Sequence, residues 1–560
     1  MKTVPQLLRR RREGSVLFNA LIFVGILGIA IVGLMQVSSI RVRAAHGRWD
    51  WNEAYFHAEN ALNWGIQRIA DQGSPIGNYA TSDGTLTVPY MSSLIGTPDS
   101  SFSAAWLTIV ADPGGAAGMF MVTASAKVGK KVRTLQANIK KNPPSQVFDY
   151  EYFLNNWGWW WGSSITGHGD NRANWDFDFR DGPTVNGGVV ASGQIESNLT
   201  PIDPLSGSVP LHGLAAADPV SYLHDGSERL AMPNLKNFTN YSALAAAKGS
   251  KLYVGTTLLV NGTHTNATKP GLYLVGTATS PIKINGPVVI PGDVVIKGVI
   301  TGTGTLYVGG NLYVAGDLTY KNSPSFSTPP ETMTPASRDN WVQSSMTDGK
   351  DLVCFAVRES VFAGKVNSSE WKSACFDPSS YGLKNVGAEA NLGQDGIADT
   401  PDDGKKFLDT NGDGTPDSAW YDADGDGVVD VKYNYATDIT MTATRAGKIN
   451  RYPTQSGTPE NFDNLSSNDF NRLDGVFYTN HAVAMRSTRS GMRINGSIIS
   501  RDEAIIFSGS ATFCYDSRVH SRYSDDPNRF IDLGLPIAFL VSMNHFKEIA
   551  PVEGFCSTAY

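Results

Sequence analysis

The sequence predicts an α+β N-terminal module, a long helix plus antiparallel sheet, followed by a β-solenoid or parallel β-helix domain with an acidic-loop insertion. Three observations carry this expectation. An uncharged N-terminal run passes without a proline into an amphipathic one, glycines recur every six residues from Gly286 to Gly316, and two aspartate-rich loops begin at Asp409 and Asp422. A chain of 560 residues exceeds one ordinary core. Its 57 glycines and 18% charged residues suit many tight turns between strands. A net charge of -7 argues against nucleic-acid binding, which needs a basic footprint.

Arg9, Arg10, Arg11 and Arg12 precede Glu13 and Gly14, and no charge follows from Ser15 to Ile40. At ~1.5 Å per residue that run crosses a ~30 Å hydrocarbon core. It is too long for an ordinary secretory signal, and no Ala-x-Ala-like site follows it. The arginines hold the N-terminus in the cytoplasm and place the rest outside. No proline occurs between Val16 and Gln72. Ala54, Ala58, Ala61, Leu62, Gly65, Ile66 and Ile69 share one helical face. The spacing therefore predicts one helix of roughly sixty residues, apolar all round at first and amphipathic later.

The basic leader, Gly14, Ser15 and the apolar helix resemble a type IV pilin precursor. The stretch AYFHAENALNWG resembles the helix of PilX-type minor pilins and pilus-assembly proteins. The likeness covers about residues 9–141. It implies cleavage between Gly14 and Ser15 by a prepilin peptidase, an inner-membrane single-pass stage, and other pilins as partners. After assembly it implies a cell-surface filament. Pilins usually carry glutamate at the fifth mature position, where this chain has Asn19; the tip pseudopilin of type II secretion also lacks it. The alternative is an uncleaved signal anchor. The implied domains are a leader (1–14), a membrane helix (15–40) and a pilin-like helix and sheet (41–142).

Residues 106–111, 119–127 and 131–140 read as strands, by their alternation of apolar and polar residues and the turn at Gly129. Residues 143–182 crowd Trp157, Trp159, Trp160, Trp161 and Trp175 together. They read as a cap or linker, a hydrophobic plug in preference to a sugar-stacking surface. His168 and Asp170 are a weak metal pair, better read as turn residues.

Glycines 286, 292, 298, 304, 310 and 316 are each followed two residues later by Val288, Val294, Ile300, Leu306, Leu312 and Leu318. Positions two and four after a glycine share one strand face, and glycine permits the corner. This is solenoid logic, with a β-meander as the alternative. Gly187 and Gly193, then Gly496 with Ile498, Ala504 and Ile506, continue it more weakly. The expected β-helix spans 183–325, with an insertion at 326–472 and a continuation and C-terminal cap at 473–560.

In the insertion, Asp409, Asn411, Asp413 and Asp417, then Asp422, Asp424, Asp426 and Asp430, occupy loop positions 1, 3, 5 and 9, with Gly414 and Gly427 at the sixth. Alternate placement turns oxygens toward one centre, and carbonyls of Thr415 and Val428 add ligands, which points to Ca²⁺. Trp420 and Tyr433 stand where a helix–loop–helix hand has glutamate, so the loops look more like thrombospondin type 3 or dockerin-like repeats. Asn391, Asp395 and Asp399 stand between a third loop and a plain acidic turn. The four cysteines lie beyond the span; Cys354–Cys375 and Cys514–Cys556 are the favoured disulfides of three possible pairings.

The functional expectation is a minor pilin or tip subunit acting in pilus assembly or surface adhesion, with a surface glycan or other surface ligand as a further partner. It is not expected to be an enzyme, since no catalytic constellation is assignable. The alternative is a membrane-anchored β-helical protein that binds or cleaves polysaccharide. For the calcium loops, chelation is expected to lower the melting temperature, and Asp413→Ala with Asp426→Ala to remove that effect. Melting curves indifferent to chelator would count against structural calcium.

Overall fold

The structure, a computed structural model, describes residues 10–71, 85–86, 102–111, 118–141, 143–155, 157–206, 209–233, 235, 238–366, 368–376, 447–452, 467–489, 491–501, 504–524, 526, 528–538 and 541–550. The chain divides into two compact units, one of residues 1–71, 78–141 and 543–560, the other of 72–77 and 142–542.

The first unit is built on a 62-residue helix, Arg10–Asp71. Its apolar side chains from Leu17 to Val42 are exposed, Ile29 most of all at 76%. Farther along, Ala54, Ala58, Ala61, Leu62 and Ile69 are buried. These positions trace a single stripe at helical spacing, the face read from the sequence. Small residues set how near the helix comes to its sheet. A Cβ built at Gly65 would lie 3.0 Å from Leu107 and 3.1 Å from Val122.

The sheet runs Thr85–Leu86, Phe102–Ala111, Met119–Val128, Lys131–Lys141 and then Val541–Ile549. Val122, Ala124 and Ala126 alternate inward on one strand, Leu135, Ala137 and Ile139 on the next. The last strand differs from the sequence expectation, which gave 473–560 wholly to the second body. Arg133 helps explain it. Its guanidinium lies 4.6 Å from both the Trp51 and Tyr55 rings and forms a two-point ion pair with Glu548. A cation over two rings needs an anion, and the C-terminal strand supplies it.

The second unit is dominated by a 21-stranded sheet with many parallel pairs. Among the described residues, the pairs form three long ladders. One passes through Val288, Leu306, Phe355, Phe477, Ile498, Tyr152, Asn171, Val189 and Leu223. A second joins Leu272, Val294, Leu312, Val361, Val483 and Ala504. The third includes Leu473, Ile494, Phe513, Gly167 and Val185. Val288 and Val294 each pair with the residue three glycine periods onward. All six residues two places after the periodic glycines are fully buried in one core. The glycines let backbones approach. A Cβ at Gly298, whose φ is +94°, would sit 2.0 Å from the Gly276 carbonyl oxygen.

Chain order and spatial order part company here. Tyr152–Leu154 lies between residues 498–500 and Asn171–Ala173, so the start and end of the body meet in its middle. Residues 143–182 are therefore woven in only in part: Tyr152–Leu154, Ile165–His168 and Asn171–Ala173 join the ladders, whereas Gly158–Trp161 and Phe177–Arg180 belong to a smaller sheet. Leu352–Val357 and Val361–Gly364 also belong to the ladders, although the sequence placed them in the insertion. A short helix, Thr239–Ala247, buries Tyr241 and Ala245 in the cluster that holds Tyr307.

A buried polar knot fastens the meeting point. Fully buried Arg518 donates to Asp516 at 2.8 and 2.6 Å and to the Asp351 carbonyl at 2.9 Å. The Tyr515 hydroxyl donates to the Phe148 carbonyl at 2.6 Å, and the Ser521 N–H to Asp149 at 2.6 Å.

The Cys354–Cys375 disulfide is not formed. Cys354, Cys375 and Cys514 are buried free thiols. Cys354 packs with Tyr307 and Phe148, whereas Cys375 packs with Trp371 and Phe362 in a separate apolar cluster. Short spacing in sequence had suggested the pair, but the strand Leu352–Val357 and the helix Ser369–Phe376 carry the two sulfurs to different clusters. Cys514 accepts a hydrogen bond from Arg493 at 3.3 Å, and burial pushes its thiol up to about 11. Its expected partner, Cys556, lies outside the described residues.

Replacing one member of a buried ion pair strands the other charge. Arg518→Ala is expected to cost about 3–5 kcal/mol in denaturant unfolding of the full chain. A loss below ~1 kcal/mol would show that the knot is not what closes the body.

Candidate functional site

Two surfaces stand out: the bare first half of the helix and an aromatic–acidic face on a small sheet of the second unit. The expected cleavage residues Gly14 and Ser15 lie within the helix Arg10–Asp71. Among the described residues this is the one helix long and apolar enough to cross a membrane, and its most apolar window is wholly unburied.

The small sheet pairs Gly158–Trp161 with Phe177–Arg180 and Phe177–Arg180 with Ile195–Ser197, all parallel. Strand alternation divides the side chains. Trp160, Phe177, Phe179 and Ile195 enter the main core. Trp159, Asp178 and Glu196 stand opposite one another on the other face. The tryptophans divide between the core and the surface. Trp160 stacks 5.4 Å from Phe513 as a plug, while Trp161 is 43% exposed. Its indole N–H donates to Asp181 at 2.6 Å, which fixes the ring. Trp157 and Trp159 stack at 6.1 Å, and the Arg180 guanidinium lies 5.9 Å from the Trp157 ring and 5.6 Å from Trp161.

Charges fill the spaces between the rings. Asp178, fully buried, accepts from Arg180 Nε at 2.6 Å and from the Leu199 N–H at 3.1 Å. That contact holds a turn in which Asn198 and Leu199 take φ of +51° and +61°, a strain non-glycine residues rarely bear. Asp176 accepts from the Gln194 N–H at 2.6 Å. Glu196 is 5% exposed and its Oε2 has no hydrogen-bond partner among the described residues. Burial, then the nearby Asp176 and Asp178, raise its carboxyl to about 7.

His168 and Asp170 are engaged locally. His168 Nδ1 faces the Asn186 amide at 3.3 Å, and Asp170 accepts from the Gly188 N–H at 2.7 Å. No cluster of three metal-ligating side chains occurs among the described residues. The calcium residues Asn391, Asp395, Asp399, Asp409, Asn411, Asp413, Thr415, Asp417, Asp422, Asp424, Asp426, Val428 and Asp430 lie outside them.

No protein-family model and no curated protein sequence matches this chain. Among solved structures, the competence-associated pilin ComZ from Thermus thermophilus is similar to it at 9% identity and a TM-score of 0.23, over 89% of this chain and 97% of that one.

Nothing in the sequence singled out Glu196. The available signal was the alternation in Asp176, Phe177, Asp178, Phe179 and Arg180, which marks a strand with one acidic face. The fold keeps Glu196 protonated up to about pH 7, whereas the unfolded chain releases that proton near 4.5. The fold thus binds more protons across this window, and this contribution to stability falls as pH rises through it. Glu196→Gln is expected to flatten the decline in melting temperature between about pH 4.5 and 7. Identical slopes for the two proteins would rule out a shifted Glu196.

Proposed function

We propose that the chain is a minor pilin or tip subunit of a type IV pilus-like filament, acting in assembly or surface adhesion and not in catalysis. The observation that carries this reading is the division of one continuous helix. Its first half exposes apolar side chains on every side, and its second half is seated on an antiparallel sheet through alanines and Gly65. Water does not tolerate such a bare rod, but a bilayer does, and so does a bundle of similar rods. Cleavage after Gly14 would move the rod from the first setting to the second. Asn19 fits a subunit that inserts early, because a neutral amide in the membrane avoids the cost of an unpaired carboxylate.

On this reading the second unit is the displayed cargo. Its parallel ladders and six-residue period support a β-helical body, and the acidic loops would bind Ca²⁺ outside the cell. A second reading, an anchored polysaccharide-binding protein, is favoured by the face around Trp161 and differs in leaving the leader uncut.

Mass spectrometry of the exported protein is expected to find Ser15 at the mature N-terminus, and that protein is expected to co-purify with filament subunits. An intact leader on exported protein overturns the pilin reading and leaves the anchored one.

A further inference from the structure

We propose that the face formed by Trp159, Trp161, Asp178 and Glu196 binds the ammonium group of an amino sugar within a polysaccharide. This deepens the adhesive half of the reading above, but it does not depend on cleavage after Gly14.

The argument starts from strand register. Trp159, Asp178 and Glu196 lie side by side on three adjacent parallel strands, which run ~4.8 Å apart. Their sequence neighbours Trp160, Phe177, Phe179 and Ile195 go into the core, so these three side chains share the opposite face. Three carboxyl groups gather there, Asp176, Asp178 and Glu196, against the one guanidinium of Arg180. Two of the three are satisfied. Asp178 is held by Arg180 and the Leu199 N–H, and Asp176 by the Gln194 N–H. Glu196 is not: it is 5% exposed and its Oε2 has no partner among the described residues. A buried carboxyl oxygen without a donor is costly. The face is therefore short of one positive, hydrogen-bond-donating group.

The chemistry narrows that group. A hard divalent cation wants six to eight oxygens, whereas no three ligating side chains among the described residues converge closely enough to hold one. An ammonium group needs few acceptors and is attracted to indole faces. Trp161 is 43% exposed, held by its hydrogen bond to Asp181, and stands opposite Arg180, two positions along from Trp159 and on the same side of the sheet as Asp178 and Glu196. Adjacent rings of an amine-bearing polysaccharide match both halves, the C–H face of one against indole and the ammonium of the next against carboxylate. A lysine side chain matches only the second half.

The test uses full-length protein in detergent at pH 7, where the empty site's carboxyl titrates and an entering ammonium group holds it ionised, with the hexamer of β-1,4-linked glucosamine, its fully N-acetylated counterpart, and hexalysine as probes in calorimetric titration. The glucosamine hexamer is expected to bind at least tenfold more tightly than either of the others. Glu196→Gln is expected to erase its advantage over the acetylated hexamer, and Trp161→Ala to weaken binding of the glucosamine hexamer severalfold. Glu196→Gln is close to isosteric and Trp161 is a surface residue; melting curves verify that both variants are folded. Equal binding of the acetylated hexamer would overturn the charge requirement. Hexalysine binding as tightly as the sugar would overturn the assignment to a polysaccharide. Absence of binding by the glucosamine hexamer at millimolar concentration would overturn the proposal as a whole.

Discussion

The close stacking of parallel backbones is the constraint on which the second unit rests. Neighbouring parallel segments approach so nearly that a Cβ at Gly304 would fall 2.2 Å from the Gly286 carbonyl oxygen, and one at Gly496 would fall 1.9 Å from that of Gly475. Only glycine admits this spacing. Once the corners are fixed, the residues two places later have nowhere to go but inward. Val288, Val294, Ile300, Leu306, Leu312 and Leu318 are all buried in one core for that reason. The outward-facing positions are then free to vary, and one group of them carries the aromatic and acidic residues around Glu196.

Local periodicities were legible in the sequence, and pairings between distant segments were not. The helix stripe from Ala54 to Ile69 and the glycine period follow from the geometry of one segment, so a single sequence displays them. The placement of Tyr152–Leu154 beside residues 498–500 depends on which edge is vacant when the strands meet, and no local pattern records that. The same applies to Val541–Ile549, whose place beside Lys131–Lys141 is tied to a single distant ion pair, Arg133 with Glu548. The cysteines show the limit most plainly. Cys354 and Cys375 are near in sequence, yet the strand Leu352–Val357 turns one sulfur to the cluster around Tyr307 and the helix Ser369–Phe376 turns the other to that around Trp371.

The candidate site was half legible. A crowd of tryptophans announced an unusual surface, but burial differs sharply among them, from 3% exposure for Trp160 to 43% for Trp161. That difference is set by odd and even positions along Gly158–Trp161, and it needs the strand to be known first. Glu196 stayed hidden because its meaning comes from Asp178 on the neighbouring strand. The bare helix, by contrast, could be read directly, since a long run of apolar residues needs no partner to be identified.

The meeting of the body's two ends also sets a clock on biosynthesis. Tyr515 and the carbonyl of Phe148 that it binds are 367 residues apart. Ribosomes add ~5–20 residues per second, so the early strand waits about 20–70 s for its neighbour. Throughout that interval an unpaired parallel edge stands open to other nascent chains. A protein so arranged depends for its yield on whatever shields that edge, and slowing translation would lengthen the exposure in proportion.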